Sequence, residues 1–355
     1  MASETRGTVL LALVANLGIA VAKAVGGLLT GSAALMSEAA HSVADTMNEI
    51  FLLTSLGKST RPADETHPFG YGKERFFWSL LAAVGIFVSG AGFSLYQGLT
   101  AVLGVSREHP STRDFLIIYS VLAVALVLEG GSLAKAVRQV RREAAQARRS
   151  VVRFVLRSPD PTVKTVASED SVAVIGVFVA AGGTALHQIT GNEVWDGVAS
   201  FVIAALLAYV AYVLGRDTKE LLIGEAADPR VRLAAFDTLV SHPEVVAVKE
   251  MLTMQLGPEN VLVAARVQFD DDSTVRQVTR VCTEIEEQMR ERVPELRQVF
   301  LDPSDVDAEE SRRSARRLQQ TIDEVRELDG QEALDGMPSL RSRTGRRLHA
   351  SGTRS

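Results

Sequence analysis

His41 and Asp45 stand four residues apart in the run Ser37-Glu38-Ala39-Ala40-His41-Ser42-Val43-Ala44-Asp45, inside a stretch built largely of small and apolar residues. On a helix that spacing is one turn, so both side chains project from one face. Imidazole suits zinc, cobalt or iron, and a carboxylate adds the negative charge that offsets a divalent cation in a low dielectric. A lone histidine in an apolar helix is more often a hydrogen-bonded core residue; the aspartate one turn away favours a metal ligand. Asp170 is a third ionisable residue set among Ala, Val, Ile and Gly. Such groups are expensive at bilayer depth and mark ion paths. Glu38, Asn48 and Glu49 extend the stripe as an aqueous approach, although capping of the helix start also explains Glu38.

Positioning these residues requires helices long enough to span hydrocarbon. The chain has 355 residues, of which 46% are hydrophobic, and the apolar ones crowd into the first 214 positions. Six spans are expected, at about Thr8 to Leu29, Ala33 to Leu56, Phe76 to Leu103, Phe115 to Val137, Val163 to Leu186 and Val198 to Leu214. Most approach the ~20 residues a spanning helix needs. The first has no small-residue cleavage signature and runs straight into the second, which argues against a removable signal peptide. Thr30-Gly31-Ser32 makes the first two spans an antiparallel hairpin. Gly85, Gly90, Gly92, Gly98, Gly176, Gly182 and Gly183 read as packing residues that let membrane helices approach closely.

Loop charge sets the orientation. Lys58, Arg61, Lys73 and Arg75 lie between spans two and three, and Arg138, Arg141, Arg142, Arg148, Arg149, Arg153, Arg157 and Lys164 between spans four and five. Of the opposite connections, the one between spans three and four carries Arg107 and Arg113 and the others carry no Lys or Arg. Both termini are therefore expected in the cytoplasm, most simply at the plasma membrane. A single cysteine, Cys282, rules out an intramolecular disulfide and a thiolate cluster within one chain. The net charge of −5 gives no reason to invoke nucleic acid.

Beyond Gly215 the periodicity changes. Arg230 to Ser241 reads as an amphipathic helix, Glu244 to Leu256 as a strand, and Gly257-Pro258-Glu259-Asn260 as a hairpin turn. Val261, Val263, Ala265 and Val267 alternate on one face of a second strand. Asp270 to Ser273 supplies cap chemistry for a helix over Val275 to Arg292, and Gln298 to Leu301 is a third strand. The expected division is a membrane domain over 1–220, a small α+β domain of αββαβ order over 221–303, and a tail over 304–355. In that tail a charged helix to Leu328 gives way to a basic, disordered end.

The run Ser37 to Asn48, together with the loop His67-Pro68-Phe69-Gly70-Tyr71-Gly72-Lys73-Glu74, resembles the cation diffusion facilitator family of divalent metal transporters. Six spans followed by a cytoplasmic ferredoxin-like αββαβ domain is also that family's plan. The Ala44-Asp45-Thr46 context, the Glu169-Asp170 pair and Leu252 to Pro258 look most similar to the branch containing the zinc transporter nine type. The resemblance implies a tetrahedral site completed by a histidine and an aspartate on the fifth span. Asp170 takes the aspartate position, but Val166 stands at the histidine position and cannot bind metal. Glu169, about 100° round the helix from Asp170, is a candidate for the open place. A shell of His41, Asp45, Asp170 and Glu169 is harder than one with two imidazoles and tilts toward iron or manganese; zinc, the family's common cargo, remains the first expectation, with cobalt possible chemically.

The resemblance further implies a homodimer joined through the αββαβ domain, and metal as cargo with no prosthetic group. It also allows an auxiliary metal at the His67 loop, whose Pro and Gly residues alone explain a tight turn. Buried acids and imidazole must be neutralised by a cation or by protons, so proton antiport follows, with His41 the natural proton carrier. A metal-responsive scaffold that binds without transporting is the alternative that Val166 keeps open. A membrane metal hydrolase would need an arrangement such as His-Glu-x-x-His, which the chain lacks.

Overall fold

The computed structural model describes residues 2–104, 111–146, 161–270 and 272–304, with Arg313, Arg316 and Gln320 as isolated helical positions; the side chains of residues 2–12, 15, 146 and 161–168 lie outside the description. The tail expected as a charged helix and a basic end falls almost wholly outside the described residues. The chain divides into two units, Met1–Ile223 and Gly224–Ser355.

The first unit is helical: α1 (Ala2–Thr30), α2 (Ala33–Ser59), α3 (Glu74–Gly85), a π-helical turn (Ile86–Gly92), α4 (Phe93–Val102), α5 (Thr112–Gln146), α6 (Pro161–Thr190) and α7 (Val194–Ile223). α3, the π turn and α4 form one continuous rod. Among the described residues four rods are long and apolar enough to cross a membrane: Glu74–Val102, Thr112–Ala145, Glu169–Thr190 and Val194–Ile223. α1 contributes a shorter apolar stretch, Asn16–Thr30. α2 falls short on composition because Glu38, His41, Asp45, Asn48 and Glu49 interrupt its apolar residues. That interruption is tolerable because its polar side turns inward, as the burial of Glu38, His41, Ser42 and Asn48 shows.

The outer surface of this unit is apolar. Leu17, Val21, Val25 and Leu28 on α1, and Leu116, Val124 and Val127 on α5, are exposed. Inside, Leu35, Ala44, Ile86, Leu122, Val177, Ile203 and Leu207 share one core. An apolar outside round a core that also holds charge suits lipid as the solvent.

Two hairpins carry the same turn. Gly31, at φ 73°, ends α1, and Gly191, at φ 69°, ends α6; their N–H groups close back on the carbonyls of Gly27 and His187 at 2.8 Å each. This left-handed cap, natural to glycine, reverses the chain in both places. Ser32 then caps α2 by accepting from the N–H of Leu35 at 3.2 Å. The same hydroxyl donates to Asp196 Oδ2 of α7 at 2.7 Å, and Thr184 of α6 donates to Oδ1 at 3.3 Å. The two hairpins are thereby tied at one end.

The glycines act as the packing reading expects at some positions and not at others. A Cβ on Gly98 would meet Phe201 at 2.7 Å, one on Gly183 would meet Ala199 at 2.5 Å, and one on Gly176 would run into the carboxylate of Glu38; nothing lies within 4 Å of Gly182. The π turn has no counterpart in the sequence reading. It falls where Ser89, Gly90, Ala91 and Gly92 offer little side-chain packing to hold α-helical register, and Ser89 donates to the Gly85 carbonyl. At the other end of this rod, Lys58 lies 4.9 Å from the Trp78 ring, an aromatic and basic pair suited to a membrane–water boundary.

The second unit has the order α8 (Pro229–Ser241), β1 (Val245–Gly257), β2 (Asn260–Phe269), α9 (Val275–Arg292), β3 (Leu296–Pro303). This is the expected αββαβ succession. β1 and β2 pair antiparallel, with Val248 opposite Val267, and β2 and β3 pair parallel, with Val263 opposite Val299. The parallel pair requires the α9 crossover. Val261, Val263, Ala265 and Val267 share a core with Leu239, Ile285, Met289 and Leu296. The α9 cap is Thr274, in a reciprocal capping box with Gln277, rather than the acidic run before it. Alanine at Ile285, whose side chain is fully buried, is expected to cost about 2–5 kcal/mol, read as earlier urea unfolding in the amide exchange of residues 245–303.

Candidate metal centre

His41 and Asp45 share one face of α2, as their spacing requires, with His41 Nε2 3.5 Å from Asp45 Oδ2. Asp170 on α6 accepts from the Ser132 hydroxyl of α5 at 3.1 Å, and its charge bears on Asp45. Helices α2 and α6 therefore present these acids to one interior. Glu169 is turned to a neighbour: Asn48 of α2 donates to its Oε2 at 2.6 Å. Among the described residues no three His, Cys, Asp or Glu side chains are close enough together to hold one ion. The four sequence-predicted residues thus stand around a common region without closing on a point. Val166 lies in α6, with its side chain outside the description.

Two residues of this region were not singled out from the sequence. Lys23 on α1 is fully buried, and its ammonium donates to Glu38 Oε2 at 2.8 Å, Ser42 Oγ at 3.0 Å and Glu129 Oε1 of α5 at 2.7 Å. The signal that would have found Lys23 and Glu129 is the one that found Asp170, an ionisable side chain inside an apolar span. Glu38 is accordingly not a helix cap; it is the α2 anchor of a three-helix ion cluster, and Gly176 leaves the room it occupies. Glu49, farther along the stripe, accepts from Asn16 of α1 at 2.8 Å.

Several buried atoms here have no hydrogen-bond partner among the described residues: both nitrogens of His41, Oδ1 of Asp45, Oε1 of Glu38, Oε2 of Glu129 and Oε1 of Glu169. Each unsatisfied buried polar atom costs about 1–3 kcal/mol. Lone pairs left open in this number, on imidazole and carboxylate, are the donor set a dehydrated divalent cation needs.

The loop after α2 behaves differently. Tyr71 donates to Asp64 Oδ2 at 2.7 Å, and the backbone N–H groups of His67 and Thr66 donate to Oδ1 at 2.7 and 3.0 Å. The His67 ring stacks on Tyr71 at 4.2 Å, and Gly70 takes φ 82°. These contacts are those of a self-contained turn. The Tyr71 hydroxyl, and then the His67 N–H, hold the Asp64 carboxyl below its ordinary value. A depressed folded value contributes order that is present above the unfolded pKa, about 4, and lost as pH falls through the folded one. Protection of the Thr66 and His67 amides, measured against their intrinsic exchange at each pH, is therefore expected to fall on acidification below that range, and Asp64→Ala to remove it at every pH.

In the second unit His242 Nδ1 lies 2.9 Å from Glu244 and Nε2 3.5 Å from Glu284. The ring is flanked by an acid on each side.

Residues 9–223 match the family model described as the cation efflux transmembrane domain, and residues 232–302 match the cation efflux protein cytoplasmic domain. The chain belongs to the cation efflux family. It is an integral membrane protein with the family's helical membrane domain and small α+β domain. Among similar proteins is the proton-coupled zinc antiporter SLC30A9, mitochondrial, of Mus musculus, 35% identical over 271 residues, which are 76% of this chain and 46% of the relative. Metal tolerance protein C4 of Arabidopsis thaliana is 33% identical over 247 residues, 70% of this chain and 53% of the relative. The manganese efflux system protein MneP of Bacillus subtilis is 23% identical over 311 residues, 85% of this chain and 97% of the relative. The chain spans about half the length of the mouse and Arabidopsis relatives.

Proposed function

We propose that the protein is a secondary transporter, not an enzyme, that moves a divalent metal cation across the membrane in exchange for protons. The observation that carries this reading is the set of open lone pairs on His41, Asp45 and neighbouring carboxylates, buried between α1, α2, α5 and α6. The names of the relatives support both halves of it: zinc with proton coupling in SLC30A9, and manganese efflux in MneP. His41, Asp45 and Asp170 are the proposed ligands, with Glu169 adjoining them. Zinc is the first cargo, and the preponderance of carboxylate leaves iron, manganese and cobalt chemically admissible.

Cation and proton compete for the same groups. An emptied site of buried acids takes up protons because charge without a partner is costly there, and the arriving ion displaces them. Six spans, both termini in the cytoplasm and residence in the plasma membrane complete the proposal. The orientation rests on the basic connections between α2 and α3 and between α5 and α6, and cell fractionation with protease protection tests it. A homodimer through the second unit is supported by Leu252 and Phe300, exposed on its sheet. Uptake of zinc, iron, manganese and cobalt into proteoliposomes under an imposed pH gradient tests the function. Metal-driven proton movement supports it, and saturable binding without flux would make the protein a sensor.

A further inference from the structure

Glu129 approaches the site from α5, a helix that supplies none of the four sequence-predicted ligands. It lies within the apolar length of α5, is nine-tenths buried, gives Oε1 to Lys23 at 2.7 Å and keeps Oε2 without a partner. Two contacts place it beside the proposed ligands: Lys23, which it grips, also bonds Ser42, next to His41, and Ser132, three residues on along α5, donates to Asp170. Its charge bears on His41, Asp45 and Asp170. Glu169 interacts with Asp45 and Asp170 but not with His41, and like Glu129 it has one oxygen held, here by Asn48, and one open. Glu38 shares Lys23 with Glu129 and bears on His41. Glu38, Glu129 and Glu169 each keep one oxygen open, and of the three Glu129 is the one whose charge bears on all three proposed ligands.

We propose that Glu129 supplies the ligand that Val166 cannot, and that Lys23 is a tethered cation that holds this carboxylate whenever no divalent ion is bound. The proposal rests on the reading of His41, Asp45 and Asp170 as the site of the transported ion. Lys23 occupies one oxygen of Glu129 and leaves the other open, so an arriving ion would recruit it as the groups round α2 close on the ion. When the ion departs, the ammonium reclaims the carboxylate, and the acid is not left bare. Lys23 is a positioning residue: it acts on the ion through Glu129, and its own charge opposes binding. The resulting shell of one nitrogen and three carboxylates accommodates manganese better than a shell with two imidazoles.

The test measures zinc and manganese binding to the full-length protein in detergent by equilibrium dialysis, alongside proteoliposome flux. Glu129→Gln is expected to weaken zinc binding about tenfold or more, within the loss that removing a supporting group already causes at metal sites, and manganese binding further; Glu169→Gln is expected to change either less than about threefold, less than an outer-shell partner is worth. Lys23→Arg keeps the charge but grips the carboxylate with a two-pronged donor, and is expected to weaken binding of both ions. Val166→His added to Glu129→Gln is expected to restore zinc but not manganese binding, a rescue that a merely structural Glu129 would not allow. If Glu129→Gln does not fold, Glu129→Asp keeps the pair with Lys23, and wild-type affinity in that variant overturns the proposal. Wild-type binding and flux in Glu129→Gln, with both lost in Asp45→Ala, would defeat Glu129 and leave the site intact. Normal flux in Asp45→Ala would defeat the site itself.

Discussion

Replacing Asp45 with alanine is expected to abolish metal flux into proteoliposomes while leaving folded protein in the membrane. The two halves of this expectation have separate physical grounds. Asp45 contributes little to the fold: Oδ1 has no partner, and Oδ2 reaches only the 3.5 Å contact with His41. Removing a buried acid without a firm partner relieves a desolvation cost rather than breaking a contact. The cation, by contrast, loses a charged ligand, and even outer partners of metal ligands are worth about 10–100-fold in affinity or activity. Flux should therefore fall by at least two orders of magnitude on that scale, with size-exclusion elution unchanged. Asp170→Ala should behave likewise, with a slightly larger structural effect because Ser132 loses its acceptor. If both variants carried zinc and manganese at the normal rate, the pocket would have been assigned to the wrong residues.

Lys23→Met carries the largest expected effect on stability. Lys23 neutralises Glu38 and Glu129 from a position with no access to solvent. A well-formed buried ion pair adds little net stability, but removing one partner leaves the other charge uncompensated and costs about 3–5 kcal/mol. Here two acids lose the same cation. The expected readout is a sharply lower yield of monodisperse protein and a lower thermal midpoint in detergent. Glu38→Gln in the same chain should recover part of the loss, because it removes one of the stranded charges. A Lys23→Met protein as stable as the wild type, without that second change, would show that the cluster is not the fastening that its distances imply.

How much of this was legible in the sequence depends on whether the information was local. The αββαβ unit was, because alternation at Val261, Val263, Ala265 and Val267 and the Gly257–Asn260 turn are properties of neighbouring residues, and β2 and its hairpin lie where they indicate. That His41 and Asp45 share one face of α2 was legible for the same reason, the two being one helical turn apart. The cluster of Lys23, Glu38 and Glu129 was not. Lys23 lies 15 residues from Glu38 and 106 from Glu129; Lys23 and Glu129 each appear in the chain as a single charge among apolar residues, and Glu38 has explanations within its own helix. Spacing rules within one helix cannot pair residues across three. The same holds for the hydrogen bond that Glu169 accepts from Asn48, on another helix. The π turn was hidden because small residues such as Gly90 and Ala91 permit several helical registers and select none. The helix α5 runs on to Gln146, past the expected end at Val137, because the charged residues beyond its apolar stretch are compatible with helix once lipid is left behind.

The hydroxyl of Ser32, shared between the start of α2 and Asp196 of α7, fixes where this assembly can flex. A bundle pinned at one rim pivots there, like the two blades of a pair of tweezers, and its freedom grows with distance from the pin. Within the membrane unit, α2 and α6 are joined again, away from their glycine turns, by Asn48 and Glu169, so any parting of those remote ends would have to break that bond.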